Sequence, residues 1–416
     1  MAVNTSAARS SAASSTRWIQ LILGVIAMMA ISSPQYVWTL FTQPLRDTLS
    51  VSLPVVQWTL TILIVLQTWL SPIQGWLVDK FGPRMLVAAG GLLSGLGWIS
   101  ASQATNIWGL YLTYGLLCGV GTGIVYIGVI GQMVRWFPEK RGLAAGLAAA
   151  GYGFGAILTN YPIYNMLKTS TYQHTLVVFG IIFAAVGILA ALPMRSPTAS
   201  DNLPAPLVLT SRRNYEPMEM VKTPVFWLMF FMMSLMATSG LVVVSNFAPF
   251  AREYGVAEMM VFGTAALPLA LTFDRITNGL TRPFFGWVSD HIGRENTMGL
   301  AFILEGIAIA LFLHFRTDPL MFVLLSGLVF FGWGEIFSLF PSTLTDTFGT
   351  KNATANYGLL YMAQGVGSVL GGPTAAFLHD KAGSWVPVFS IVVGLDILTG
   401  LLALFVLKRM RASFMK

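Results

Sequence analysis

Runs of roughly 20 apolar residues, broken by short polar stretches, recur from one end of the chain to the other. Each is long enough to cross a hydrocarbon core about 30 Å thick as a helix. Twelve are read, at about 18–42, 54–77, 84–104, 107–131, 142–165, 175–194, 225–250, 261–288, 297–316, 319–341, 355–378 and 385–408. The longest polar interruption, about 195–224, carries Arg212, Arg213 and several prolines and divides these spans six and six. The pattern predicts an all-α polytopic membrane protein with a tail over 1–17, a six-helix bundle over 18–194, a central loop over 195–224, a second bundle over 225–408 and a tail over 409–416. The Ser/Ala-rich start, with Arg9 and Arg17, reads as a disordered tail. The run that follows is too long for a signal peptide and lacks a small-residue cleavage site.

Composition agrees with this reading. The 416 residues are 55% hydrophobic and 10% charged, and mean hydropathy is +0.70, which excludes a soluble domain of this length. The net charge of +7 points to topology rather than to nucleic acid. If both termini are cytoplasmic, most of the Lys and Arg fall on that side. The other side gets Arg46, Lys168, Arg252, Arg316 and Lys381, and Arg275 and Arg282 stay within a span. The positive-inside rule then orients a multi-pass protein of the inner membrane. Cys118 is the single cysteine, so no intramolecular disulfide is available.

An internal repeat supports the six-and-six division. Gly75-Trp76-Leu77-Val78-Asp79-Lys80-Phe81-Gly82-Pro83-Arg84 closes span 2, and Gly286-Trp287-Val288-Ser289-Asp290-His291-Ile292-Gly293-Arg294 closes span 8. The two copies resemble the loop motif of the major facilitator superfamily. That resemblance implies two six-helix bundles rocking about a central site, with Asp79 and Asp290 capping neighbouring helices at the cytoplasmic gate. Other stretches resemble the oxalate:formate antiporter family: Gln35-Tyr36-Val37-Trp38-Thr39-Leu40, Gly123-Ile124-Val125-Tyr126, Arg135-Trp136-Phe137-Pro138-Glu139-Lys140-Arg141, Ala150-Gly151-Tyr152-Gly153, Asn278-Gly279-Leu280-Thr281-Arg282-Pro283 and Asn356-Tyr357-Gly358. Bacterial monocarboxylate transporters share the polar residue four positions before an Arg-Pro in span 8, so Arg282 by itself does not separate the two families.

Arg282 is the main candidate for chemistry. A guanidinium stays charged at any useful pH and is costly in hydrocarbon, so it marks an anion site or a fixed ion pair. Its planar fork matches a carboxylate. Asn278, four residues earlier on the same face, can donate to the same anion or orient the guanidinium. The oxalate-exchanger pattern has a Lys in span 11 where this chain has Gln364. A single Arg with a neutral amide favours a monocarboxylate over a dicarboxylate. By the resemblance, Gln35, Tyr36, Trp38, Tyr126, Tyr152, Trp333, Phe337 and Tyr361 line the cavity, with Phe337 and Tyr361 standing where the pattern has Tyr and Trp.

Glu335, in mid-span 10, has three readings: an ion-pair partner for Arg282 or Arg275, a carboxyl that carries a coupling proton, or a group satisfied by helix ends. Asp274 is a second proton candidate or, with Arg275, part of an outer gate. Glu305 and Asp396 read as inter-helix polar contacts. Gly142, Gly146 and Ala150, at helical spacing, allow close helix passage. The Gly-rich runs at 119–123 and 151–155 lie within spans and follow no strand, so they are not nucleotide loops. No metal or serine-triad pattern is read, and no cofactor is expected.

The expectation is therefore a non-enzymatic secondary transporter of a small organic carboxylate, acting as a monomer in the lipid bilayer. Exchange and proton-coupled uptake remain open between Arg282 on one side and Glu335 or Asp274 on the other. The alternatives are an oxalate:formate dicarboxylate antiporter, a drug/proton efflux pump and an anion transceptor.

Overall fold

The protein, seen as a computed structural model, is described for the backbone of residues 2–415 except 52, 209 and 212, and the side chains of 2–14, 39, 43, 53, 54, 57, 161 and 373 are also not described. Arg9, Thr39 and Arg212 thus fall outside the described side chains. The fold is all-α, with one short ribbon. Among the described residues nine helices, or 10 if a bent pair counts as one, are long and apolar enough to cross a membrane. The eighth and eleventh expected spans are outside that set although both are helical, as Ala266–Ile292 and Ala353–Val369. Their own polarity excludes them. The eighth carries Asp274, Arg275, Arg282 and Asp290, and the eleventh carries Asn356 and Gln364 among its glycines.

Four local departures from the sequence reading have physical causes. The first helix begins at Ala2 and runs to Ala30, so the segment expected as a disordered tail is helical. Its alanines are strong helix formers and no Pro or Gly interrupts it. Span 2 bends by 50° between Trp69 and Ser71, just ahead of Pro72, whose ring and missing N–H break the helical ladder. Span 8 starts at Ala266 rather than near 261, because Met260–Val261 and Thr264–Ala265 pair as a ribbon. Its two-residue turn, Phe262 and Gly263, has φ of 51° and 79°, the positive pair a tight hairpin requires. Span 10 divides into Pro319–Trp333 and Ile336–Phe348, leaving Gly334 and Glu335 at the junction.

Contacts group the chain into two compact units: Met1–Glu139, Leu147–Pro206 and Thr350–Tyr361 in one, Lys140–Gly146, Leu207–Gly349 and Met362–Lys416 in the other. The main boundary lies within the polar stretch 195–224, and each unit takes in one short segment from beyond it. The first unit has a core of Trp38, Phe41, Trp98, Tyr114 and Phe183 among others, with Trp98 edge-on to Phe41 at 5.2 Å and to Phe183 at 5.1 Å. Its Pro83–Ala101 and Tyr172–Ala191 helices close on small residues. A Cβ placed on Gly91 would lie 3.1 Å from the Gly187 Cα, an approach a larger side chain would prevent. The second unit stacks Phe247, Phe250, Phe312, Phe322 and Phe389 in its own core.

Candidate functional site

In the second unit, Arg282 is 2% exposed, far inside the usual range for an arginine. Its Nη2 donates to Asn278 Oδ1 at 3.0 Å, while the Asn278 amide nitrogen donates to the Phe330 carbonyl at 3.3 Å. Phe337 lies under the charge, with the guanidinium carbon 4.6 Å from the ring centroid. A desolvated contact of that kind is worth about 2 kcal/mol. Trp333 stands edge-on to Phe337 at 5.8 Å and is fixed by its indole N–H, which donates to the Met236 carbonyl at 3.1 Å.

The break in span 10 sits against this face. A Cβ on Gly334 would come within 2.7 Å of the Asn278 carbonyl oxygen, so only glycine lets the two helices meet one turn from Arg282. Gln364, also in this unit, is buried, and its Oε1 accepts no hydrogen bond from the described residues.

The first unit gathers the candidate tyrosines. Tyr152 donates to Gln35 Oε1 at 2.6 Å. Its ring is 5.3 Å from both Tyr36 and Tyr126, and Tyr126 stacks on Tyr361 at 4.9 Å with an interplanar angle of 11°. Gln67, which the sequence did not single out, and Tyr357, noted there only within the Asn356-Tyr357-Gly358 stretch, join them. Gln67 donates to the Tyr361 hydroxyl at 3.4 Å, and the Tyr357 ring is 5.6 Å from Tyr361. Trp38, expected beside them, instead belongs to the apolar core, 4.7 Å from Tyr114.

The acidic candidates lie deep in the second unit. Glu335 is fully buried, and neither carboxyl oxygen has a hydrogen-bond partner among the described residues. Asp274 is 1% exposed, and neither of its oxygens makes a hydrogen bond of ordinary geometry among the described residues. Glu305 and Asp396, read as inter-helix contacts, are fully buried, and their carboxyl oxygens make no hydrogen bond of ordinary geometry among the described residues.

The repeated loop motif is alike in backbone and unlike in its arginines. Gly82 (φ 84°, ψ 164°) and Gly293 (φ 91°, ψ 156°) hold the same conformation between consecutive helices, one open to glycine and strained for other residues. Asp79 accepts the Ala355 N–H at 2.9 Å. Asp290 accepts those of Gly142 at 3.0 Å and Leu143 at 2.9 Å. Each carboxylate thus meets otherwise unbonded N–H groups in the first turn of a helix.

Gly75 and Gly286 permit the approach: a Cβ on Gly75 would lie 2.8 Å from the Ala355 Cα, and one on Gly286 3.0 Å from the Leu143 nitrogen. Arg294 is 1% exposed and bonds Asp290 at 2.6 Å and Asp346 at 2.8 Å. Arg84 is exposed. Pro83 inserts one residue before it, turning it about 100° round the helix, and Asp79 pairs with Arg135 instead. Asp346, which also pairs with Arg141, was not singled out from the sequence. Two buried cations, Arg141 and Arg294, were the only signal that an acid had to lie nearby.

Comparison with known proteins places these features in context. The family model described as Major Facilitator Superfamily matches residues 21–273 and 269–413. The oxalate:formate antiporter of Oxalobacter formigenes is 35% identical over 95% of this chain and 92% of its own length. Monocarboxylate transporter 13 of Rattus norvegicus is 27% identical over 91% of this chain and 84% of its own. The crystal structure of FucP, a Major Facilitator Superfamily transporter in the outward conformation, superposes with a TM-score of 0.70 at 14% identity, covering 94% of this chain and 99% of that one.

Proposed function

The chain belongs to the major facilitator superfamily, a multi-pass membrane transporter and not an enzyme, and from that premise we propose that it moves small organic carboxylates, monocarboxylates first, by alternating access. The observation that carries the reading is Arg282: a buried guanidinium oriented by Asn278 and backed by the Phe337 ring. Such a group presents a fixed fork to a carboxylate in low dielectric, where charge-assisted bonds are strong. Gln364, in the same unit, supplies an amide in place of a second cation. The distribution of Lys and Arg supports cytoplasmic termini in an inner membrane.

The oxalate:formate antiporter at 35% identity keeps dicarboxylate exchange as the second reading. The test is uptake of labelled lactate, formate and oxalate into proteoliposomes, with and without unlabelled counter-substrate inside, for wild type and Arg282→Gln. Carboxylate flux lost in the variant supports the reading. No carboxylate flux, or a variant as active as wild type, rejects it.

A further inference from the structure

Three acids that the sequence scatters over spans 9, 10 and 12 converge in the second unit. Glu305 lies on the Arg294–His314 helix, Glu335 at the break of span 10 and Asp396 on the Trp385–Leu401 helix. All three are fully buried. A Cβ on Gly332, one turn before Glu335, would lie 2.7 Å from the Glu305 Cβ, and one on Gly306 would lie 3.3 Å from the Asp396 Cβ. Small residues on the intervening helices therefore bring the acids together. Gly334, next to Glu335, packs against Asn278, which holds the Arg282 guanidinium at 3.0 Å. None of the six carboxyl oxygens makes a hydrogen bond of ordinary geometry among the described residues. A further buried polar group points in: the Ser239 hydroxyl, with no bond of ordinary geometry, is directed at Asp396.

Neighbouring buried carboxyls without well-formed hydrogen bonds cannot all be ionised, and their protons belong to the group rather than to one member. We propose that Glu305, Glu335 and Asp396 form a proton-binding cluster that couples carboxylate movement to a proton. The inference goes beyond the carboxylate reading and adds a second cargo. Arg282 is the link. With no substrate on it, its charge stabilises ionised Glu335. A carboxylate bound to Arg282 neutralises that charge, and the cluster takes up a proton from the same compartment. The loaded carrier thus holds anion and proton together, and releasing either on the far side favours release of the other, as linkage requires. The direction is symport.

The experiment has two arms. In proteoliposomes, labelled lactate or formate accumulation driven by an alkaline lumen is compared with counterflow at equal pH, for wild type, Glu305→Gln and Asp396→Asn. Wild type accumulates substrate, whereas each variant loses at least tenfold of the pH-driven accumulation and keeps counterflow. Infrared spectroscopy of the purified wild type, with no substrate, then reads protonated-carboxyl C=O bands at neutral pH. These bands are present and weaken in both variants. Accumulation indifferent to the pH gradient, a requirement for sodium in its place, or variants that keep full pH-driven accumulation overturns the proposal. If no carboxylate moves at all, the carboxylate reading fails by itself. The infrared bands still decide the cluster: their absence in wild type, or their persistence unchanged in both variants, rejects it.

Discussion

The Asp290 carboxylate accepts the backbone N–H of Gly142, 148 residues earlier in the chain, at 3.0 Å, and its other oxygen takes that of Leu143. It also pairs with Arg294 at 2.6 Å. One side chain thus ties the start of the Arg141–Thr169 helix to the end of Ala266–Ile292. Removing one member of a buried, hydrogen-bonded charge pair costs about 3–5 kcal/mol. Asp290→Ala should therefore lower the apparent unfolding temperature in detergent markedly, and Asp290→Asn less, because its amide oxygen still accepts an N–H. An alanine variant as heat-resistant as wild type would show that the cap carries no stability.

The arginines of the two motif copies should behave oppositely. Arg294 is buried between Asp290 and Asp346, so Arg294→Ala leaves Asp290 without a cation and Asp346 with Arg141 alone, at a cost of about 3–5 kcal/mol. Arg84 is exposed, and Arg84→Ala should change stability by no more than about 0.5 kcal/mol. Parallel thermal scans of the two variants check the contrast, and equal losses would contradict the assignment of Arg135 as the partner of Asp79.

Which parts were legible in the sequence follows from what local pattern encodes. Hydrophobic run length encodes helices, and the motif copies encode the Asp79 and Asp290 caps. The spacing of Asn278 and Arg282 encodes their shared face. Arg84 misled because its motif spacing looked regular while Pro83 shifted its direction by one residue. Trp38 misled because a core aromatic and a cavity aromatic look alike along a chain, and only neighbours such as Tyr114 tell them apart. Asp346 and the meeting of Glu305 with Asp396 were not legible, since those contacts arise from helix packing and have no period in the sequence. The break at Gly334 was hidden for the same reason: Trp333-Gly334-Glu335 reads as part of one continuous span.

A pH effect outside the membrane is expected at the central loop. The Arg195 guanidinium grips Asp201 through two bonds of 2.8 and 2.6 Å and holds its carboxyl well below the usual carboxylate range, with help from Thr198. A carboxyl held low in the folded state adds stability above its unfolded value near 4, and that contribution fades as pH falls through the folded value. The effect is no more than about 1 kcal/mol, because the Arg195 side chain is 39% exposed and solvent screens the pair. Protection of residues 195–202 from hydrogen exchange, relative to the intrinsic rate at each pH, should fall below about pH 4, and Asp201→Asn should show the lower protection already at neutral pH. Exchange that ignores both changes would contradict the clamp.

Arg282 and Asn278 should separate charge from orientation. Arg282→Lys keeps a cation but gives up the fork and the bond to Asn278. A charge-assisted hydrogen bond is worth about 1.5–3 kcal/mol, so substrate affinity should fall by about tenfold to a hundredfold. Asn278→Ala keeps the fork and releases its aim, for a loss of about tenfold at most. Binding of labelled monocarboxylate to purified protein reads both. A lysine variant that binds as tightly as wild type would mean that Arg282 acts only as a point charge or not at all.

Gln364 is the position that should set the charge of the cargo. It is buried with its Oε1 unbonded, and the oxalate-exchanger pattern has a lysine in the same slot. A carboxylate group needs a cation to offset its desolvation, and a second carboxylate needs a second one. With Arg282 the first, an amide at 364 leaves a dicarboxylate half unpaired. Gln364→Lys should therefore raise oxalate competition relative to lactate or formate by more than about tenfold, or about 1.4 kcal/mol in relative affinity. Monocarboxylate binding should weaken in the same variant, because a single carboxylate held by Arg282 leaves the desolvation of the added ammonium uncompensated. Competition curves for the two anions, measured on wild type and variant in one preparation, give the ratio. A ratio that stays fixed while Arg282→Gln still abolishes binding would leave Arg282 as the anion site and remove Gln364 from the selection of substrate charge.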